Sequence, residues 1–173
     1  MVNNKTKQIV ISGLLVAIAF IIPLMLPNLS GLPEYSATPF AHVPVMIAMF
    51  INPTVTTFVV LGTAISFFIK YIPIVGLRAL SHLLFALVAA KMLKKSKTKL
   101  NIFITYLVTL ILHAGAEAII VAVWFTFFSG VGLTSPLYFG IGVFALHHTF
   151  DFAVTLVIYF ALVKAKVLKS ESN

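Results

Sequence analysis

The sequence predicts an all-α integral membrane protein: a single bundle of six transmembrane helices with both termini on the cytoplasmic side. Three observations carry this expectation. Of the 173 residues, 61% are hydrophobic and only 9% charged, with a mean hydropathy of +1.11. A soluble domain needs a polar surface over its core, so lipid must be the solvent here. The second observation is a series of about six apolar runs, each near the roughly 20 residues that a helix rising about 1.5 Å per residue needs to cross a hydrocarbon core of about 30 Å. The third is the placement of charge. Ten of the twelve basic residues fall in three clusters: Lys5 and Lys7; Lys91, Lys94, Lys95, Lys97 and Lys99; and Lys164, Lys166 and Lys169. Six alternating helices with a cytoplasmic start bring all three clusters to the cytoplasmic face, as the positive-inside rule requires.

These features also exclude function classes. The net charge of +8 does not mark a nucleic-acid binder, because the lysines follow the membrane topology. No G-x-x-x-x-G-K phosphate loop is present, and one bundle uses nearly the whole chain, so ATP-driven work requires another subunit. Without cysteine there is no disulfide, thiolate nucleophile or cysteine metal site. A cleavable signal peptide fits the first run poorly. That run is long for a signal sequence, and its removal leaves an odd helix count that breaks the charge pattern.

The first span is expected over 8–26, closed by Pro23 and Pro27. An outer loop over 28–37 follows, rich in turn formers and carrying Glu34 and Tyr35. The second span, 38–51, starts with Pro39 at a favourable first-turn position. It is short for a full crossing, which is tolerable where protein rather than lipid covers the backbone. Asn52-Pro53 turns the chain at the inner face into the third span, 54–70, and Ile72-Pro73 turns it at the outer face into the fourth, 74–93. The fifth, 100–128, leads through an outer loop with Gly130, Gly132 and Pro136 to the sixth, 137–163.

In such a chain the informative side chains are those that are costly in oil, because a buried ionisable group costs several kcal/mol unless paired or hydrated. Counting about 1.5 Å per residue from the outer end of each span puts His42, Lys70, Arg78 and Trp124 within about 6 Å of that end. His82, Glu117, His147 and His148 come at roughly 12 to 17 Å, and His113 and Asp151 at roughly 20 to 22 Å. Arg78 and His82 share a helix face, as do His113, Glu117 and Trp124, and as Asp151 does with His147 or His148. Three polar stripes can therefore converge on one cavity that opens outward through a cationic mouth. Each residue also has a plainer reading: Arg78 snorkelling to headgroups, His82 or His113 joining helices by hydrogen bonds, Glu117 in a structural pair with His147 or His148, and Trp124 anchoring the interface.

The six short spans, the loop after the first, and the runs TPFAHVPVMIAMF (38–50) and LRALSHLLFA (77–86) resemble the substrate-binding S-components of energy-coupling factor vitamin importers. The resemblance implies a six-helix bundle that holds a vitamin near the outer surface. It implies as partners a transmembrane coupling subunit and two ATPase subunits, besides membrane lipid, with no nucleic acid and no cofactor. Carried over by position, it makes Arg78, His82, Glu117, Trp124, His147 and His148 ligand-facing, makes 28–37 a lid with Tyr35, and adds His42 and Asp151 to the binding set. The family's coupling face carries small residues four apart on the first span. Here the match is Gly13 and Ala17, a spacing that lets another helix approach closely. The cobalt and nickel branch uses a histidine close to the N-terminus; position 2 is Val2, so no metal is expected on that ground.

On this reading the chain is not an enzyme. It sits in the plasma membrane, captures a small water-soluble vitamin or precursor from outside, and delivers it to an ATP-driven module. A guanidinium fork at Arg78 suits a carboxylate, which favours an acidic vitamin such as niacin or pantothenate. Two alternatives stand beside it. A proton-coupled transporter would use Glu117, Asp151 and the histidines as a relay. An intramembrane metalloenzyme would need His147, His148, Asp151 and His113 on one ion, although adjacent helical residues point about 100° apart.

Overall fold

The computed structural model describes residues 4–26, 38–130 and 132–168. These form six helices: α1 (Asn4–Met25), α2 (Val43–Ile51), α3 (Pro53–Lys70), α4 (Pro73–Lys95), α5 (Lys99–Ser129) and α6 (Thr134–Lys164). Local chemistry sets their ends. The Asn52 side chain accepts the Val55 N–H at 2.9 Å and caps α3, with Pro53 in the first turn. Thr98 caps α5, which stops at Gly130 in the left-handed conformation (φ 65°). Basic residues occupy the last turns of α3, α4 and α6, where they complement the helix dipole.

Five helices, all but α2, are long and apolar enough to cross a membrane, and the protein is a multi-pass membrane protein. The nine residues of α2 reach only about 14 Å. The expected second span, 38–51, is helical only from Val43; residues 38–42 form turns, with Phe40 at a φ of 66°. The expected lid, 28–37 with Tyr35, lies outside the described residues.

The helices pack in a closed ring. α1 touches α3, α3 touches α4, α4 touches α5 and α5 touches α6, while α2 touches α6 and α1 and also packs on α3 and α4. The irregular backbone at 38–42 is tied in at both ends, Thr38 and His42 being buried and 39–41 half-buried, and a membrane tolerates such backbone where protein or a cavity adjoins it. Two apolar clusters fill the ring. One contains Met46, Phe50, Val59, Phe85, Leu93 and Phe152; the other contains Ala64, Phe67, Ile74, Ala79, Ala118 and Phe144. Along α3, α4 and α6 the two are separated by Thr63, by His82, and by His147, His148 and Asp151, all buried. A polar layer thus lies across the bundle between two apolar ones.

Candidate substrate-binding site

The layer contains five histidines, two carboxylates and one guanidinium, and each of the eight side chains is buried. Three are placed by α4 and α5. Arg78 Nη2 donates to Glu117 Oε2 at 2.9 Å, and His82 Nε2 lies 2.8 Å from Glu117 Oε1. Glu117 therefore serves two residues of one α4 face. The Arg78 guanidinium also lies over the Phe144 ring of α6, with Cζ 4.3 Å from the centroid, which adds cation–π attraction in a desolvated setting. One turn away on α5, His113 Nε2 is 3.7 Å from Glu117 Oε2.

Asp151 organises the other half. Its Oδ1 accepts the Phe40 backbone N–H at 2.9 Å and its Oδ2 accepts that of His42 at 3.0 Å. Phe40 is left-handed and His42 right-handed (φ −89°, ψ −12°), the alternation that turns successive N–H groups into an anion-binding concavity. The same Oδ2 lies 3.3 Å from His42 Nδ1 and 3.4 Å from His147 Nε2. The His42 ring is thereby placed at the centre, with centroids 4.5 Å from His82, 4.7 Å from His113 and 4.4 Å from His147. His148 points elsewhere, its Nε2 3.0 Å from Thr109 Oγ1, so adjacent His147 and His148 diverge as helical geometry requires.

A cavity of about 400 Å³ opens above this layer. Arg78, His82, Glu117, His42 and His147 line it, below a rim that includes exposed Lys70 and half-buried Tyr71 at the α3–α4 connection. That rim is at the opposite end of the bundle from the lysine-bearing end of α4.

Five of the expected binding residues thus meet around the cavity: His42, Arg78, His82, Glu117 and His147. Asp151 is completely buried and supports the layer rather than lining the cavity, and His148 is likewise buried and absent from the cavity wall. Trp124 is not among the lining residues; it packs on Phe128 at 4.3 Å and against the Phe67 and Phe144 cluster. The depth assigned to His42 from sequence is corrected, since its contact with His113 puts it in the middle layer. The count failed because α2 begins inside the bundle and not at its surface. Tyr71, which the sequence reading passed over, brings a buried hydroxyl without a hydrogen-bond partner to the cavity wall. Its place beside Lys70 at a predicted helix end was the available signal. Gly13 and Ala17 lie exposed on α1, and a Cβ on Gly13 would meet nothing within 4 Å.

No protein-family model matches the chain, and no solved structure matches it. The sequence is 39% identical over 129 residues to the niacin transporter NiaX of Lactococcus lactis subsp. cremoris (strain MG1363), a match covering 70% of this chain. The chain spans 57% of that relative's length. That similarity to a vitamin transporter accords with the chain's resemblance to the S-components of energy-coupling factor vitamin transporters.

Proposed function

We propose that this chain is a vitamin-capturing S-component whose substrate is niacin, a small aromatic ring bearing one carboxylate. The observation that carries the reading is the cavity. It is closed below by the polar layer and rimmed by Lys70 and Tyr71, with a guanidinium in its wall, and the similar protein is a niacin transporter. Arg78 receives the carboxylate; a guanidinium has five N–H donors and can serve a second carboxylate besides Glu117. Tyr71 donates its hydroxyl hydrogen, and His82 or His147 bonds the ring nitrogen.

In this reading α2 completes a six-span single domain, and the three lysine clusters keep both termini in the cytoplasm, so the cavity faces outward. The open α1 face, with Gly13 and Ala17 exposed, receives a transmembrane coupling subunit backed by two ATPases. A stand-alone proton relay is less well supported. Between the polar layer and the lysine-rich end stands the apolar cluster of Phe50, Phe85 and Leu93. The hydroxyls of Thr56, Thr105 and Thr155 there bond backbone carbonyls of their own helices.

Binding of a panel of labelled vitamins to the detergent-solubilised chain tests the proposal. Niacin is expected to bind, and to bind more weakly in Arg78→Lys. Binding of cations alone, such as thiamine, refutes the assignment of Arg78.

A further inference from the structure

His42, His82, His113 and Glu117 each offer one ligand-type atom, and these four atoms lie within 4.8 Å of one another with every residue buried. We propose that they form a site for one divalent transition-metal ion of the zinc class, at the floor of the cavity.

The donor set suits such an ion: three imidazoles and a carboxylate, with no thiolate, are borderline ligands of the kind that hold zinc, cobalt or nickel. Their origin suits it as well. His113 and Glu117 are four apart on α5 and share a face, His82 comes from α4, and His42 comes from the turn before α2. A four-coordinate ion with bonds of about 2.0–2.1 Å needs donors roughly 3.3 Å apart. Glu117 Oε1 and His82 Nε2 are already 2.8 Å apart, whereas His113 Nε2 lies 3.7 Å from the other carboxylate oxygen, Oε2, so closure on one oxygen needs the carboxylate to turn and the rings to shift by about an ångström. The proton that now joins His82 to Glu117 leaves on binding, as metal ligation requires.

A second observation is independent of the clustering. His113 is 1% exposed, yet neither of its ring nitrogens has a hydrogen-bond partner. Leaving such buried groups unsatisfied is destabilising; an ion satisfies one directly. Supporting contacts are present too. Asp151 Oδ2 lies 3.3 Å from His42 Nδ1 without a hydrogen bond between them, near enough to close into the carboxylate–histidine contact that orients a metal-bound ring, and Arg78 bonds Glu117 through Oε2.

Charge points the same way. In the polar layer one guanidinium stands beside two carboxylates, so the layer bears a formal negative charge. A divalent ion reverses its sign to one that receives a carboxylate; that consequence rests on the vitamin reading, and the metal site does not.

The test uses the full chain in detergent, stripped with chelator and titrated with Co²⁺ alone. Wild type is expected to take up one equivalent with visible ligand-field bands that Zn²⁺ abolishes. His113→Asn is expected to bind at least a hundredfold more weakly, while Trp124→Phe, outside the cavity, stays within threefold of wild type. Because His113→Asn can fail to fold, His113→Cys is measured beside it and should add a near-ultraviolet thiolate-to-cobalt band. Failure of wild type to take up Co²⁺, equal affinity in a folded His113→Asn, or a folded His113→Cys lacking that band overturns the proposal. Niacin binding is scored separately, so the two readings fail independently.

Discussion

Asp151 holds His42 at two points: its Oδ2 accepts the His42 backbone N–H at 3.0 Å and lies 3.3 Å from the ring Nδ1. A carboxylate on α6 thereby fixes a residue 109 positions away, in the turn that starts α2. Without it, the left-handed Phe40, a conformation costing about 1–3 kcal/mol for a bulky residue, keeps only the Val43 N–H on its carbonyl and its ring contact with Phe150.

Asp151→Asn tests this anchoring. The amide retains one acceptor and loses the charge, so one of two charge-assisted bonds from backbone N–H groups is lost or weakened, at about 1.5–3 kcal/mol. Unfolding of the solubilised protein should shift by that amount, and niacin affinity should fall about tenfold as His42 leaves the cavity wall. Unchanged stability together with unchanged binding would show that the turn holds its shape without the carboxylate.

Helical spacing alone made much of this layer legible. Arg78 with His82, and His113 with Glu117, were placed on common faces by their separation of four, and those faces do meet. Spacing could not reveal which groups pair across helices. Arg78 bonds Glu117 from a neighbouring helix, 39 positions away, and no local pattern encodes that contact. Depth counted along a span fails where a helix starts below the surface, as α2 does, so His42 was placed too high. Trp124 shares the face of His113 and Glu117 by spacing, yet the cavity ends before reaching it.

The Arg78–Glu117 pair is predicted to be strongly coupled. Removing either partner leaves an uncompensated charge at a site 3% or less exposed, a loss on the order of 3–5 kcal/mol. Replacing both with apolar side chains removes the two charges together. Arg78→Met and Glu117→Leu should therefore each destabilise strongly, and the double variant should be more stable than their sum by about 1–3 kcal/mol. Thermal unfolding of the four proteins measures the coupling; additive losses would mean the two residues act independently.

Tyr71 and Trp124 should respond in opposite ways. Tyr71→Phe removes a hydroxyl at the cavity wall, and niacin affinity should drop about fivefold, equivalent to about 1 kcal/mol for one hydrogen bond. Trp124→Phe lies outside the cavity and should leave affinity within about twofold, since it removes none of the roughly 1 kcal/mol bonds assigned to the ligand. Equilibrium binding on both variants decides; a larger loss in Trp124→Phe would place the ring system of the ligand nearer α5 than the cavity does.

Two glycines separate packing within the chain from packing against a partner. A Cβ on Gly62 would come 2.6 Å from Val16 Cγ2, so Gly62→Val should force α1 away from α3 and cost about 1–3 kcal/mol, the usual penalty of overpacking. Gly13 is exposed on α1 with open space around it, and Gly13→Leu should leave stability and niacin binding as they are. Small residues four apart allow close helix approach, so this change should nonetheless stop niacin uptake by cells that also express the coupling subunit and ATPases. Uptake of labelled niacin beside binding to the purified variant checks the pair of effects. Normal uptake by Gly13→Leu would move the docking face off this side of α1, whereas loss of binding would show that the side chain disturbs the bundle itself.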